Sequence, residues 1–339
     1  MKRSHQVKTQ LHRQRGSTAI WFALCLPVLL GFAALAVDLA RINLTKVELQ
    51  NAADSAALAG ARSLTPLDAS TYNWTAAKAS ALDVAKRNVA NGELIKDADI
   101  TTGYWNLGSG NVPFIRATVT ISSTQNNGPL KLFFAPILGI TDKRVQATAV
   151  AVITTPANGT GVFPFVIERR FLEKYWDTST GKPIMKNGEA PTVELGSIYA
   201  SSGKGNDKVD SLSGQWTTFN TTANDVKFVD SLITYGNGFS KTTTSLGIND
   251  KTYVQPGDKA SVYRDVPIGK DVAMFVVDSI VKKDYYQIVA IAAFHITDYN
   301  QGKKTILGHF VPASIIPGLN PGNGNGVFYG AYTPPLLVE

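Results

Sequence analysis

Cysteine and charged residues are scarce in this sequence of 339 residues. The single cysteine, Cys25, excludes an intramolecular disulfide and any metal site built from several thiolates. Asp, Glu, Lys and Arg together supply only 17 % of the residues, while Ser, Thr, Asn and Gly are plentiful. A domain of this composition must be held together by its hydrophobic core and not by disulfides.

The usual catalytic signatures are also missing. No nucleophile elbow, HExxH pair, phosphate-binding loop or GxGxxG motif occurs in the sequence. Of the four histidines, His5 and His12 lie in a basic tail, and His295 and His309 stand in apolar strand patterns, where histidine is usually structural. We therefore predict no enzyme activity, no catalytic residue, no cofactor and no metal ion.

Only one long apolar run is present, at residues 16–37, and it contains no charged residue. As a helix, these residues extend about 33 Å, which matches the hydrocarbon core of a bilayer. Residues 1–15 carry five basic residues and no acid, so the positive-inside rule predicts a cytoplasmic amino terminus and an exported remainder. Because most of the net charge of +7 lies in this tail, nucleic-acid binding is not expected. The predicted membrane span is marked by Gly16, Trp21, Pro27 and Val37.

Two alternatives to a permanent anchor have to be weighed. Ala34-Leu35-Ala36 has the small-x-small form that a signal peptidase accepts, so the run could belong to a cleaved signal peptide. Against cleavage, the run is longer than the apolar region of a signal peptide, which is about 7–15 residues. The second alternative is a buried core helix of a soluble protein, but a basic tail followed by a charge-free run fits that poorly.

The helical pattern continues beyond the apolar run, because apolar residues recur at spacings of three and four until Gly60. We therefore predict one helix over Ser17–Arg62. Its outer half contains an alanine stripe, Ala52, Ala56 and Gly60, whose spacing lets another backbone approach closely. Two interpretations stay open at this point: the stripe packs on the protein's own domain, or it contacts a helix of a partner subunit.

Beyond this helix the pattern mixes helices and strands. A second helix is predicted at 68–91, with Asn91-Gly92 as its carboxyl cap, and a short apolar helix or loop at 129–140 is expected to cap one end of a sheet. Residues 155–161 are typical of a turn-rich joint. Strands are predicted at 100–107, 114–123, 144–154, 193–199, 259–263, 272–281, 286–296 and 305–312, and another helix at 225–235.

Together these elements predict an α+β protein, in which a long amino-terminal transmembrane helix continues into an exported, mostly β ectodomain. No internal repeat is visible in the sequence. The predicted divisions are a cytoplasmic basic tail (1–15), the transmembrane helix (16–37), a helical extension (38–64), a small α+β unit (65–155) and a β-rich carboxyl-terminal domain (156–339).

The amino-terminal fifty residues carry a family resemblance. The basic RQRG sequence, the LPVLLGFAALAVDLAR core and the LQNAADSAALAGA helix resemble the amino-terminal module of TadG-like proteins of the tight-adherence (Flp) pilus machinery. A weaker likeness covers 117–153, with a strand ATVTIS, then PLKLFFAPILGI, then VQATAVAVI. Residues beyond 156 match no motif of the family.

The resemblance implies a single-pass protein of the bacterial inner membrane with a periplasmic domain. It would act in pilus assembly or anchoring through protein–protein contacts, with pilins or other pilus-assembly proteins as partners and a homo-oligomer as a further possibility. Pilin-like relatives are cut after a Gly and carry a Glu five residues later, but here Gly16 is followed at that position by Trp21. The chain therefore resembles the uncut, anchored member of the set. On this basis, Ala56→Glu is expected to abolish assembly and leave the protein folded.

Some TadG-like chains carry a domain whose metal site begins D-x-S-x-S, and the nearest match here is Asp177 to Gly181, where the last serine is replaced. We therefore expect no such site. Asn206, Asp207 and Asp210 could hold a calcium ion, although a solvated turn is the more ordinary interpretation.

Two functions of other classes compete with pilus assembly. The first is a surface-exposed or secreted adhesin, which would bind a glycan or a host surface through its carboxyl-terminal β-rich domain. The second is an envelope enzyme, but this would require a convergent polar pocket that the sequence does not display.

Overall fold

A computed structural model describes residues 17–65, 72–108, 110–196, 213–223, 225–235, 245–255, 260–322 and 327–339. Helix α1 (Ser17–Arg62) runs without interruption through Pro27 and through the apolar segment, so its predicted bounds are confirmed. A mostly β domain follows this helix, and the predicted α+β class is confirmed as well.

The first part of the domain packs directly on α1. It consists of α2 (Trp74–Lys86) and strands β1 (Asp99–Asn106), β2 (Asn111–Ile121) and β3 (Val145–Val152). The three strands form a consecutive antiparallel sheet, and both α1 and α2 cover one of its faces. Alternating burial along β2 explains why the sequence pattern located these strands to within a few residues.

The second part is built on a larger sheet. Its strands are β4 (Val162–Glu168), β5 (Val193–Gly196), β6 (Gly214–Trp216), β7 (Lys270–Val277), β8 (Tyr285–Asn300) and β9 (Thr305–Phe310), in the spatial order β5-β9-β8-β7-β4-β6. Among the described strands of this sheet, β7 and β4 are the one pair that runs in parallel. Lys251–Tyr253 adds a short strand beside β8, and helix α3 (Val226–Tyr235) contacts β4.

The carboxyl terminus returns to the first sheet. Strand β10 (Leu336–Leu337) pairs with β3, and the Thr333 and Thr154 hydroxyl groups form a buried hydrogen bond of 3.1 Å. Shorter pairings complete the fold: Val89–Ala90 with Glu93–Leu94, Leu130–Lys131 with Asp142–Lys143, Trp176–Asp177 with Lys182–Pro183, Ser314–Ile315 with Ala331–Tyr332, and Pro156–Gly159 with both Leu246–Gly247 and Leu319–Pro321. Short helical segments occupy Ala135–Leu138, Arg169–Leu172 and Ala260–Asp265.

Three local predictions were wrong. Helix α2 ends at Lys86, and Asn91-Gly92 forms a hairpin turn instead of a helix cap, because both residues adopt positive φ (53° and 80°). Within the segment 155–161, which was predicted as a turn-rich joint, Pro156–Gly159 form a strand of a three-stranded sheet. The predicted strand at 259–263 is a 3-10 helix from Ala260, which lets the neighbouring Val262 and Tyr263 both be buried.

Candidate functional site

The inner face of α1 is buried against the protein's own domain. Ala52 and Ala56 have no exposed surface, and Gly60 is buried among α2 and β2. A Cβ added at Gly60 would lie 2.9 Å from both Ala81 Cβ and Ile115 Cγ2. The small side chains therefore allow α2 and the sheet to approach the helix closely. In the structure these three residues pack on the protein's own domain, which is the first of the two interpretations of the alanine stripe.

This burial corrects one expectation. Ala56→Glu would place a carboxylate inside the alanine-rich core, so the expectation that the variant stays folded was wrong. A partner contact on α1 has to use residues that the domain leaves exposed. The sequence pattern left both interpretations open, because the residues that cover Ala56 lie on other elements of the chain.

The opposite face of α1 carries apolar side chains that nothing in the described residues covers. Val37, Ala40, Leu44 and Val47 are exposed and recur at spacings of three, four and three, which aligns them on one side of the helix. We call these four residues the outward stripe. It contains no charge and is continuous with the apolar surface of residues 20–36, so one apolar face extends from the predicted span into the domain-proximal part of the helix.

Asp38 fastens the helix to the domain at the point where the apolar run ends. Its Oδ1 accepts a hydrogen bond from the Phe133 N–H at 2.8 Å, and its Oδ2 accepts from Phe134 and Ala135 at 2.9 and 2.7 Å. The side chain is almost fully covered, with 3 % of the residue exposed. A carboxylate that accepts three backbone N–H groups is strongly held, so the loop at 133–135 is tied to one position on the helix.

Three further contacts, made by Arg41 and Glu48, reinforce this junction. The Arg41 guanidinium lies over the Phe133 ring, 4.3 Å from its centroid, and donates to Asn91 Oδ1 at 3.1 Å. About two turns further along the helix, Glu48 Oε2 accepts a hydrogen bond from the Asn91 N–H at 2.7 Å. Sequence reasoning missed Asp38, since its only signal was its place as the first charged residue after the apolar run.

The residues between Lys131 and Asp142 form a loop, 132–141, which we call the apolar loop. It contains no charged residue, and a salt bridge of 3.1 Å between Lys131 and Asp142 closes its base. Leu132 and Ala135 pack in one core with Ile121 and Val145 at the end of the first sheet, and the loop also lies along α1. A groove of about 250 Å³ separates the two and is lined by Val28, Gly31, Phe32, Ala34 and Leu35 of the helix and by Phe134, Ile137 and Leu138 of the loop.

The predicted span itself is solvent-facing in the isolated chain. Trp21 and Val37 are exposed, Pro27 lies inside the unbroken helix, and Gly16 lies outside the described residues. In the described part of the chain, α1 is the one helix long and apolar enough to cross a membrane, as judged by length and composition. This suggests single-pass membrane anchoring.

In the part of the chain that the structure describes, the histidine cluster does not form a catalytic triad. His295 Nδ1 lies 2.6 Å from Asp271 Oδ1, and the Ser314 hydroxyl donates to Asp271 Oδ2 at 2.8 Å, so the carboxylate stands between the imidazole and the hydroxyl. A nucleophilic serine requires the imidazole in that central place. The neighbouring His309 ring lies 5.0 Å from that of His295, and burial lowers the pKa of His309, with the nearby His295 acting in the same direction.

Metal-binding arrangements are not found among the described residues, where no three His, Cys, Asp or Glu side chains lie close enough to share an ion. Asp177 Oδ1 accepts hydrogen bonds from the backbone N–H and the hydroxyl of Ser179, which lower the pKa of Asp177 and close a local turn. Asn206, Asp207 and Asp210 lie outside the described residues.

The fold and this junction define a class of protein: a mostly β domain carried on one long helix whose first half is suited to a membrane. Residues 16–63 match the Tad family of Flp pilus-assembly TadE/G-like proteins, and residues 59–151 match the Tad_C family of Tad-like Flp pilus assembly. The two matches support a TadG-like protein of the Tad pilus and a role in pilus assembly. No curated protein and no solved structure matches the chain.

The matched families are structural or assembly families, which agrees with the expectation of a non-enzymatic role. They cover α1, α2 and the first sheet, and therefore include Asp38, the outward stripe and the apolar loop. Asp38, the outward stripe and the apolar loop thus lie in the part of the chain that the two family models match.

Proposed function

We propose that this protein is a single-pass inner-membrane subunit of the Flp pilus-assembly machinery, with its amino terminus in the cytoplasm and its domain in the periplasm. It acts by binding other single-span subunits of that machinery, pilins included, through the outward stripe. The observation that carries the proposal is the exposed apolar face of α1 at Val37, Ala40, Leu44 and Val47.

Three properties of this face support a helical partner. Its spacing is that of a helix–helix seam, and its side chains are apolar and uncharged. Its position directly above the predicted span means that a partner helix packed on it would continue into the same membrane. A partner with its own membrane-spanning helix fits these properties, because the two helices could pack against each other both inside the membrane and beyond it.

The orientation follows from charge. Five basic residues precede the span and mixed charges follow it, so the positive-inside rule favours a periplasmic domain. An intact-mass measurement on the chain from fractionated cells tests this arrangement. An unprocessed amino terminus in the inner-membrane fraction supports it, a start at Ser17 indicates pilin-type processing, and a start at Val37 in a soluble fraction indicates a cleaved signal peptide.

Leu44→Glu tests the stripe. Leu44 is 61 % exposed, so the charge leaves the fold intact while it disrupts an apolar seam. The matched control is Leu39→Glu, on the same helix with 59 % exposure but about 140° away around the helix axis. Piliation is expected to be lost in Leu44→Glu and retained in Leu39→Glu, with equal amounts of both chains in the membrane. Normal piliation in Leu44→Glu would contradict the proposal.

One observation favours an adhesin, although it lies in the first part of the domain and not in the carboxyl-terminal β-rich part to which the sequence analysis assigned that function. Tyr72, Trp74 and Tyr104 form an aromatic cluster with ring centroids 5.5–6.4 Å apart, and Tyr104 is exposed at its edge. Exposed aromatic faces are common in glycan-binding sites. Retention of the chain in the inner membrane, away from the cell surface, would argue against this alternative.

A further inference from the structure

We propose that the apolar loop, residues 132–141, inserts into the periplasmic leaflet of the bilayer that α1 spans, and so gives the domain a second membrane contact. The occupant of the groove between the loop and the helix is then lipid acyl chain. The inference rests on the membrane anchoring in the proposed function, but not on the outward stripe or on any pilus partner.

The depth of the loop follows from its neighbours on α1. Its groove is lined by helix residues 28–35, which precede Asp38 by three to ten positions. At the rise of an α-helix, these positions lie about 5–15 Å before Asp38 along the axis. The apolar segment is only just long enough to cross the hydrocarbon core, so the membrane boundary has to lie near Asp38. Loop residues that face positions 28–35 therefore lie on the hydrocarbon side of that boundary.

The exposed surface of the loop is apolar. Ile137 is 85 % exposed, and Phe133, Leu138 and Ile140 are exposed as well. Contiguous apolar surface of this kind is costly in water and marks a membrane or protein contact. The tip projects beside a helix that is itself exposed along its whole apolar length, so lipid that surrounds the helix also surrounds the tip.

Seven of the nine backbone N–H groups of the loop have an acceptor within the protein, which lowers the cost of placing non-helical backbone at membrane depth. The N–H groups of Leu132, Ile137, Gly139 and Ile140 donate to carbonyl groups of the same loop. Those of Phe133, Phe134 and Ala135 donate to the Asp38 carboxylate, and Pro136 has no N–H. The inward-facing carboxylate thus supplies the acceptors that water would otherwise provide.

Charged residues lie at the base of the apolar loop, at the level expected for the lipid headgroups. Lys131 and Asp142 pair at the base of the loop, and the exposed Lys143 and Arg144 follow immediately. Arg41 stacks on Phe133 from the helix side. This change from a charged base to an uncharged tip is the pattern of a segment that lies across a membrane interface.

Spin labelling of the full-length chain tests the insertion. The chain is reconstituted in nanodiscs of phosphatidylethanolamine and phosphatidylglycerol, and single nitroxide labels are placed at Ile137→Cys or Val281→Cys in a Cys25→Ser background. Val281 is the aqueous control, since it is 79 % exposed on the carboxyl-terminal part of the domain. The unchanged chain, labelled at its own Cys25, is the reference for the membrane interior.

Accessibility to dissolved oxygen and to a water-soluble nickel chelate is then compared. The label at 137 is expected to resemble that at Cys25, with high oxygen accessibility and a nickel accessibility several-fold below that at 281. Nickel accessibility at 137 equal to that at 281 would overturn the insertion of the loop. If the label at Cys25 were protected from nickel in the same experiment, membrane anchoring by α1 would still be supported. Protection at 137 from both reagents would mean that protein covers the loop, which also overturns the proposal. Exposure of Cys25 itself would instead overturn the anchor.

Discussion

The two faces of α1 make opposite use of side-chain size. Apart from the buried Leu49, the inner face buries mainly small residues such as Ala52, Ala56 and Gly60, whereas the outward stripe leaves a leucine and two valines exposed. Ranking residues by hydrophobicity alone would place them the other way round. Small residues are buried here because they let α2 and the sheet approach the helix axis, while the larger side chains point to the side from which a further helix would come. The small residues of the inner face thus hold α1 to its own domain, while the leucine and valine side chains of the outward stripe stay available for another contact.

A charge introduced into the buried inner face of α1 is expected to lower the stability of the protein most. Ala56→Glu buries an unpaired carboxylate in a position with no exposed surface, and we expect the free energy of unfolding to fall by about 3–5 kcal/mol. Thermal unfolding of the detergent-solubilised chain measures the change. Asn51→Glu is the control, since Asn51 is exposed on the same helix. Equal melting of the two variants would mean that the inner face is not packed as described.

A smaller change at the inner face is Gly60→Ala. The added methyl group would meet Ala81 and Ile115 at 2.9 Å, so α2 and β2 have to shift, and we expect a loss of about 1–3 kcal/mol. Gly31→Ala is the matched control on the same helix, where an added Cβ meets nothing within 4 Å. Unfolding of both variants under one set of conditions gives the difference. A loss at Gly31 as large as that at Gly60 would contradict the close approach.

Asp38→Asn tests how strongly the carboxylate at the end of the inner face holds the apolar loop. The amide keeps the shape of the side chain but removes the charge and one of its acceptor oxygens, so the N–H groups of 133–135 lose part of their support. We expect hydrogen exchange at these three amides to become several-fold faster while global melting changes little. Glu48→Gln, which affects only one N–H, should leave exchange at 133–135 unchanged. Unaltered exchange in Asp38→Asn would show that the loop is held by other contacts.

The outward stripe should give the smallest change in stability. Leu44→Glu alters an exposed position, so the free energy of unfolding is expected to stay within about 0.5 kcal/mol of the unchanged chain. The same melting experiment checks this value. A large destabilisation would mean that Leu44 belongs to the packing of the domain, and a loss of piliation in that variant could then not be attributed to a partner.

The second part of the domain differs from the first in its core. Around β4 and β6 the packing is aromatic: Trp216 contacts Phe165 and Tyr263 with ring centroids 5.3 and 5.2 Å apart. A core of large rings holds sheets and loops apart, whereas the alanine-rich core of the first part draws them against a helix.

Local pattern was enough to predict much of this fold. The length of the apolar run and the spacing beyond it predicted α1 from Ser17 to Arg62, because a helix is determined by periodicity along one stretch of chain. Alternation likewise located β2, β3, β7, β8 and β9 to within a few residues. Where turn chemistry had two outcomes, as at Asn91-Gly92, the pattern indicated a chain reversal but not which kind.

The sequence by itself thus determined the apolar helix, the charge asymmetry around it and the α+β class. Which face of that helix is covered was decided only by the tertiary structure, because burial at Ala56 and Gly60 depends on residues of α2 and β2 far along the chain. The same holds for Asp38, whose three hydrogen-bond donors lie about ninety-five residues away. Contacts of that separation leave no local pattern, so only the folded chain brings the carboxylate and the apolar loop together.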